Sequence, residues 1–205
     1  EPIIICGGYH YYINTIKQNS DGSFILAGVT YSVDNNLSLD FTSNHHAGPF
    51  GVGTGDAWVV KLNANFEIEW HKLLGGSNND EFFSIEDTED GYIFCGFTES
   101  NNGDISTNQG DSDFWIVKLN SLGNLQSQKT YGGNYVDYAT CVLKSTDGNY
   151  IISGYSNSDS GDITNPLGAA DYWIIKINAS GDILWQKNIG GASTDASYSM
   201  DKTTD

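Results

Sequence analysis

The chain has 205 residues and carries 26 Asp and Glu against 9 Lys and Arg, a formal charge of −17. An anionic surface repels phosphate backbones and anionic lipid alike, which argues against nucleic acid as a partner; no apolar run approaches the ~20 residues that span a bilayer, which argues against membrane insertion. Twenty-four glycines with 5 Trp, 12 Tyr and 9 Phe suit a turn-rich, pleated fold, and the length suffices for one substantial core.

Taken in order, Glu1 to Cys6 reads as a lone strand, too short for a signal peptide. Gly7-Gly8 then opens a first repeat, with an Asp21-Gly22 turn, a long loop from Tyr31 to Gly55, and the strand Asp56-Ala57-Trp58-Val59-Val60-Lys61-Leu62-Asn63. Tyr12 stands here where later repeats have an aspartate, and Phe66 where they have a glycine. The second repeat starts at Gly75-Gly76 and reaches Asp80, then a strand over 82–87. A Glu89-Asp90-Gly91 turn follows, because Asp-Gly supplies the positive φ angles of a tight hairpin. A strand over 92–98, a polar loop over 99–112 and the strand 113–120 come next, then a turn at Ser121-Leu122-Gly123-Asn124 and a strand over 125–131. The third repeat matches at Gly132-Gly133, Asp137, Asp147-Gly148, 150–156, 171–178, Ser180-Gly181-Asp182 and 183–189. Residues 195–204 read as the first strand of another repeat.

Trp58, Trp115 and Trp173 stand 57 and 58 residues apart, and a fixed period of this length marks a repeat architecture. Trp115, Val117 and Leu119 lie on one face of their strand and Phe114 and Ile116 on the other, so the strand is covered on both sides. The three tryptophans are therefore core. The segment Leu125-Gln126-Ser127-Gln128-Lys129 is polar and suits an outer edge. A chain crossing from the outer strand of one four-stranded sheet to the inner strand of the next covers about 14 Å, and Gly-Gly-x-x-x-Asp reaches roughly 16 Å when extended. The expected fold is all-β, a β-propeller of four-stranded antiparallel blades, forming a single domain over 1–205. Its repeats fall at about 7–74, 75–131 and 132–189, with lone strands at 1–6 and 195–204. A longer propeller of which this is a part, a small four-bladed ring joining the two end strands, and a filament joined through those strands all fit this layout.

The combination Gly-Gly-x-x-x-Asp, Asp-Gly-x-Tyr-Ile, Gly-Asp-Ile-Ser/Thr and Asp-x-Trp-Ile-Val-Lys-Leu-Asn resembles the secreted β-propeller repeats of the Bacteroidota. The resemblance covers nearly the whole chain. It implies an extracellular or cell-surface location and a role as a module of adhesins or large secreted proteins, with no shared catalytic activity.

The long loops and the Gly-Gly crossings fall at one end of such a propeller, and most of the acidic side chains fall there too. That end is where function is expected. Asn101-Asn102-Gly103-Asp104-Ile105-Ser106 recurs as Asp159-Ser160-Gly161-Asp162-Ile163-Thr164. Two readings fit Asp104 and Asp162, and likewise the recurrent Asp80 and Asp137. They supply oxygen ligands to calcium, or they bond their own backbone to hold turns. Asp56, Asp113 and Asp171 each precede a strand and read as turn holders. Cys95 and Cys141 occupy positions where the other repeats have small residues and read as packing. His45-His46 in the long first loop reads as solvated. Asn36 and Asn178 head Asn-x-Ser patterns that fit N-glycosylation. No nucleophile elbow, metalloprotease helix or phosphate loop occurs. The expected function is a non-enzymatic extracellular adhesion or interaction module that takes a protein or glycan partner at its acidic loop end. A filament subunit and a carbohydrate-active enzyme are the alternatives, the latter marked by exposed aromatics beside close carboxylates.

Overall fold

The computed structural model describes residues 11–31 and 54–203. The expected strand at 1–6, Gly7-Gly8, Cys6, His10, His45, His46, Asn36 and most of the first long loop lie outside them. The described residues form twelve strands and no helix. The first sheet holds β1 (Tyr11–Gln18), β2 (Phe24–Thr30), β3 (Asp56–Leu62) and β4 (Ile68–Leu74). The second holds β5 (Asp80–Asp87), β6 (Gly91–Thr98), β7 (Asp113–Asn120) and β8 (Leu125–Tyr131). The third holds β9 (Asp137–Lys144), β10 (Tyr150–Ser156), β11 (Asp171–Ile177) and β12 (Ile183–Ile189). Each sheet is antiparallel with its strands side by side in chain order. These are the four-stranded blades of a β-propeller.

The tryptophan strand joins the blades because both its faces are apolar. Trp115, Val117 and Leu119 turn back toward the first blade, where they share a buried cluster with Ile25, Ala27, Ala57 and Val59. Phe114 and Ile116 turn forward and share a cluster with Ile152, Trp173 and Ile175. Phe82 stacks on Trp115 with ring centroids 5.0 Å apart, and Phe114 lies 4.6 Å from Trp173. All three repeat tryptophans are buried. The lysine of the motif also reaches forward: Lys61 Nζ donates to Tyr92 Oη (2.7 Å) and Lys118 Nζ to the Ala179 carbonyl. Among the inner strands, β5 neighbours both β1 and β9, so the three follow one another around an axis.

Three expectations are corrected. The second blade's first strand starts at Asp80, not Phe82, because Asp80 already pairs with Thr98. The register places Tyr11, not Tyr12, at the position of Asp80, since Tyr11 faces Thr30 as Asp80 faces Thr98. Residues 195–203 do not form a strand. They nevertheless begin the repeat again. Asp195 N donates to the Ala170 carbonyl at 2.8 Å, as Asp137 N does to Ser112 and Asp80 N to Gly55. Thr140 Oγ1 donates to the Ser197 carbonyl at 2.8 Å, tying this segment to β9.

Candidate functional site

Each inner strand contains a bulge at the same place. The ladder runs Ile13↔Gly28 then Thr15↔Ala27, skipping Asn14; Phe82↔Gly96 then Ser84↔Cys95, skipping Phe83; and Ala139↔Gly154 then Cys141↔Ser153, skipping Thr140. A bulge leaves one residue unpaired, bends the strand and re-aims a side chain. The strand opposite must carry glycine. A Cβ on Gly28, Gly96 or Gly154 would lie 1.9, 1.7 or 1.9 Å from the carbonyl oxygen of Tyr12, Glu81 or Tyr138.

Three bulge residues, one from each blade, converge on a cavity of about 390 Å³ lined by Asn14, Phe83, Tyr138, Thr140, Tyr155 and Tyr198. Tyr198 follows Asp195 at the offset that Phe83 keeps from Asp80 and Thr140 from Asp137. The terminal segment thus adds the fourth equivalent residue. The cavity lies toward the end of the inner strands where the long loops enter, beside Asp137 and Ser156. Phe83, Phe97, Tyr138 and Tyr155 form a continuous aromatic row. Centroid separations are 6.0 Å for Phe83–Phe97, 4.1 Å for Phe97–Tyr138 and 5.4 Å for Tyr138–Tyr155.

Two glutamates stand at this row. Asn14 Nδ2 donates to Glu81 Oε1 at 2.7 Å and to the Phe82 carbonyl at 2.8 Å. Asn79 Nδ2 donates to Glu99 Oε2 at 2.8 Å. Burial raises the Glu81 carboxyl above its usual range, with the Asn14 bond opposing. Burial also raises the Tyr138 phenol, and the charges of Glu99 and then Glu81 raise it further. The Tyr155 phenol is pushed up to about 12 by burial, with Tyr138 and Tyr198 adding to it. The local field is negative, and none of the lining residues is cationic. Sequence reasoning missed this site. Its one signal was the strand glycine in Ala27-Gly28, Cys95-Gly96 and Ser153-Gly154, since glycine inside a strand often marks a bulge.

The four aspartates read as calcium ligands or turn holders are brought together in two pairs, one at each of the crossings that open the second and third blades. Gly75 N donates to Asp104 Oδ2 (3.1 Å) and Gly76 N to Asp80 Oδ2 (2.8 Å). Gly132 N donates to Asp162 Oδ2 (3.2 Å) and Gly133 N to Asp137 Oδ2 (2.8 Å). The long loop is bonded back in turn, by Asp104 N to the Gly75 carbonyl (2.9 Å) and Asp162 N to the Gly132 carbonyl (2.8 Å). Gly103 and Gly161 keep positive φ and press on those same carbonyls, where a Cβ would lie 2.3 and 2.4 Å away. Each pair therefore clamps a Gly-Gly crossing to a loop. Among the described residues, no three His, Cys, Asp or Glu side chains are grouped to hold a metal. Asp113 Oδ2 accepts from Gln109 N (2.7 Å), and Asp171 Oδ2 from Leu167 N (2.7 Å) and Gly168 N (3.1 Å), holding the loop before each strand.

Toward the short-turn end the inner strands are tied by charge. Lys17 Nζ lies 2.8 Å from Glu86 Oε2 and 3.2 Å from Asp87, and Lys202 Nζ lies 3.7 Å from Glu86 Oε1. Lys144 N also donates to Glu86 Oε1 at 3.3 Å. Glu86 thus joins three blades and the terminal segment. Asn178 closes the β11–β12 turn, its Oδ1 accepting from Asp182 N (2.9 Å) and its Nδ2 donating to Asp182 Oδ2 (3.0 Å). Cys95 and Cys141 are buried free thiols. Trp70 packs on the next blade and donates Nε1–H to the Ser121 carbonyl at 3.1 Å, whereas Trp185 is 44% exposed.

No family model matches the chain, and no curated protein matches it. Among solved structures it is similar to the crystal structure of Sqt1 from Chaetomium thermophilum, at 10% identity and a TM-score of 0.40 over 90% of this chain and 37% of that one. The chain therefore spans well under half the length of that protein.

Proposed function

We propose that the chain is a non-enzymatic extracellular interaction module that engages a protein or glycan partner at its acidic long-loop end, with the axial cavity receiving a group that projects from the partner. The convergence of Asn14, Phe83, Thr140 and Tyr198 on one aromatic cavity carries this reading. A concave, largely apolar site with a few polar groups is the usual form of a ligand pocket, and about 390 Å³ falls within the ordinary range. The extracellular setting rests on the resemblance of the repeats to secreted propellers. The non-enzymatic reading rests on the resemblance, which carries no shared catalytic activity; the aromatic wall with Glu81 and Glu99 beside it is also the mark of the carbohydrate-active alternative, and release of reducing sugar from a glycan that the chain binds would overturn the non-enzymatic reading.

Glycan and peptide arrays probed with the wild-type chain and with the double variant Phe83→Ala/Tyr155→Ala test the reading. Binding to a specific set of features should appear with the wild type and disappear with the variant, while the melting midpoint of the variant confirms that it folds. Array binding that survives the double substitution sinks the assignment to this cavity.

A further inference from the structure

The chemistry of the cavity wall selects among the groups a partner offers. Its side chains are Phe83, Tyr138, Tyr155 and Tyr198, with Asn14 and Thr140 between them. Aromatic faces carry negative quadrupole charge and attract cations. Two carboxylates, Glu81 and Glu99, act on Tyr138 from the same end, and Tyr31 feels both as well. The Asn14 amide nitrogen is committed to Glu81 and the Phe82 carbonyl. The Thr140 hydroxyl is committed to the Ser197 and Ser153 carbonyls. The polar groups left on the wall are the Asn14 carbonyl oxygen and the hydroxyls of Tyr155 and Tyr198, since the Tyr138 hydroxyl meets Ser112. Such a wall surrounds a cation with ring faces and acceptor oxygens and has no formal positive charge to hold an anion. The nearest basic side chain along β1, Lys17, is paired with Glu86 and Asp87. The chain as a whole, at −17, draws cations toward the cavity as well.

We propose that the axial cavity binds a trimethylammonium group, held against Phe83, Tyr138 and Tyr155 with Glu81 and Glu99 as counter-charges. This inference rests on the reading of the cavity as the partner site and names the chemical class that the site takes. A trimethylammonium group is large, weakly hydrated and unable to donate hydrogen bonds, so it loses little on leaving water for a wall of rings. The group can belong to a free small cation or to the end of a longer headgroup. The two sources differ in the phosphate that the headgroup adds near Glu81 and Glu99.

Titration calorimetry with choline, phosphocholine and uncharged 3,3-dimethyl-1-butanol, which keeps the shape of choline, tests the proposal. Choline should bind at least about tenfold more tightly than the neutral alcohol, with affinity falling as salt rises. Glu81→Gln keeps the Asn14 bond and removes one charge, and should weaken choline by about three- to tenfold while leaving the alcohol unchanged. Phosphocholine binding as well as choline identifies a headgroup; weaker binding identifies a free cation; either supports the ammonium class. Equal affinity for choline and the alcohol overturns it. So does choline binding that persists in Phe83→Ala/Tyr155→Ala, which would mark diffuse attraction to the acidic surface. If neither choline nor phosphocholine binds while array binding is lost in the double variant, the ammonium class fails and the cavity reading stands. If array binding also survives that variant, both fail.

Discussion

Asp80 is fully buried at the first described crossing, and its titration should contribute to how this fold responds to pH, beside that of Asp113, which burial likewise raises to about 7. Its Oδ2 accepts from Gly76 N and Ser100 Oγ, both at 2.8 Å, and its Oδ1 accepts from the Thr98 hydroxyl. Burial raises its pKa from 3.8 to about 7, against those three bonds, and the charge of Asp56 adds to the rise. The folded state thus holds a proton that the unfolded chain releases near pH 4. The stabilisation is fully present below about pH 4, falls as pH rises toward 7, and is constant above. A shift of about three units at about 1.4 kcal/mol each amounts to about 4 kcal/mol. Asp80→Asn removes the titration and keeps the shape. Its carbonyl oxygen can take the place of Oδ2, while its amide can donate to Thr98 Oγ1, which otherwise accepts from Ser100 N at 3.0 Å. Other carboxylates also titrate across this range, so the quantity to read is the difference between the two proteins. Urea midpoints from pH 4 to pH 8 should fall more steeply for the wild type than for Asp80→Asn. With an m-value of about 2 kcal/mol/M the divergence is about 2 M. Parallel pH profiles would refute the reasoning and show that Asp80 is ionised across the whole of this range in the folded state.

The remaining expectations concern the bulge, the core and the aspartate clamps. Gly96→Ala places a methyl 1.7 Å from the Glu81 carbonyl oxygen, so the bulge must shift. A loss of about 3 kcal/mol in urea unfolding is expected, together with loss of ligand binding through Phe83. Trp115→Ala empties the contact between the first two blades and should cost about 3–5 kcal/mol; a loss below about 1 kcal/mol would show that the blades do not depend on this side chain. Calcium at millimolar concentration should leave the melting midpoint unmoved, because Asp80, Asp104, Asp137 and Asp162 already accept backbone amides. A clear rise would restore the reading of these residues as ligands.

Much of the fold was legible in the chain. The spacing of Trp58, Trp115 and Trp173 gave the repeat, and the two-faced apolar pattern of 113–120 placed that strand inside each blade. Both are local signals, carried by residue type and period. The recurrence of Asp80 and Asp137 was legible too, but the spacing alone could not separate a metal ligand from an amide clamp. That choice depends on which atoms the fold brings within about 3 Å, and the fold brings Gly76 N and Gly133 N. The first repeat misled by one position because the Gly-Gly spacing and the sheet register disagree there, leaving Tyr11 where an aspartate otherwise stands.

Apart from the strand glycines, the axial cavity belongs to the tertiary structure. Asn14, Phe83, Thr140 and Tyr198 differ in type and lie far apart in sequence, although the last three keep one offset from a repeat aspartate. Only the bulge that each inner strand makes against a glycine, repeated around an axis, turns the first three toward a common point, and the start of a further repeat brings Tyr198 to it. Sequence determined the blades because hydrophobic period is a property of the chain by itself. Which side chains meet at the centre was decided by register, since a ladder shifted by one residue would return Phe83 to the sheet and close the site.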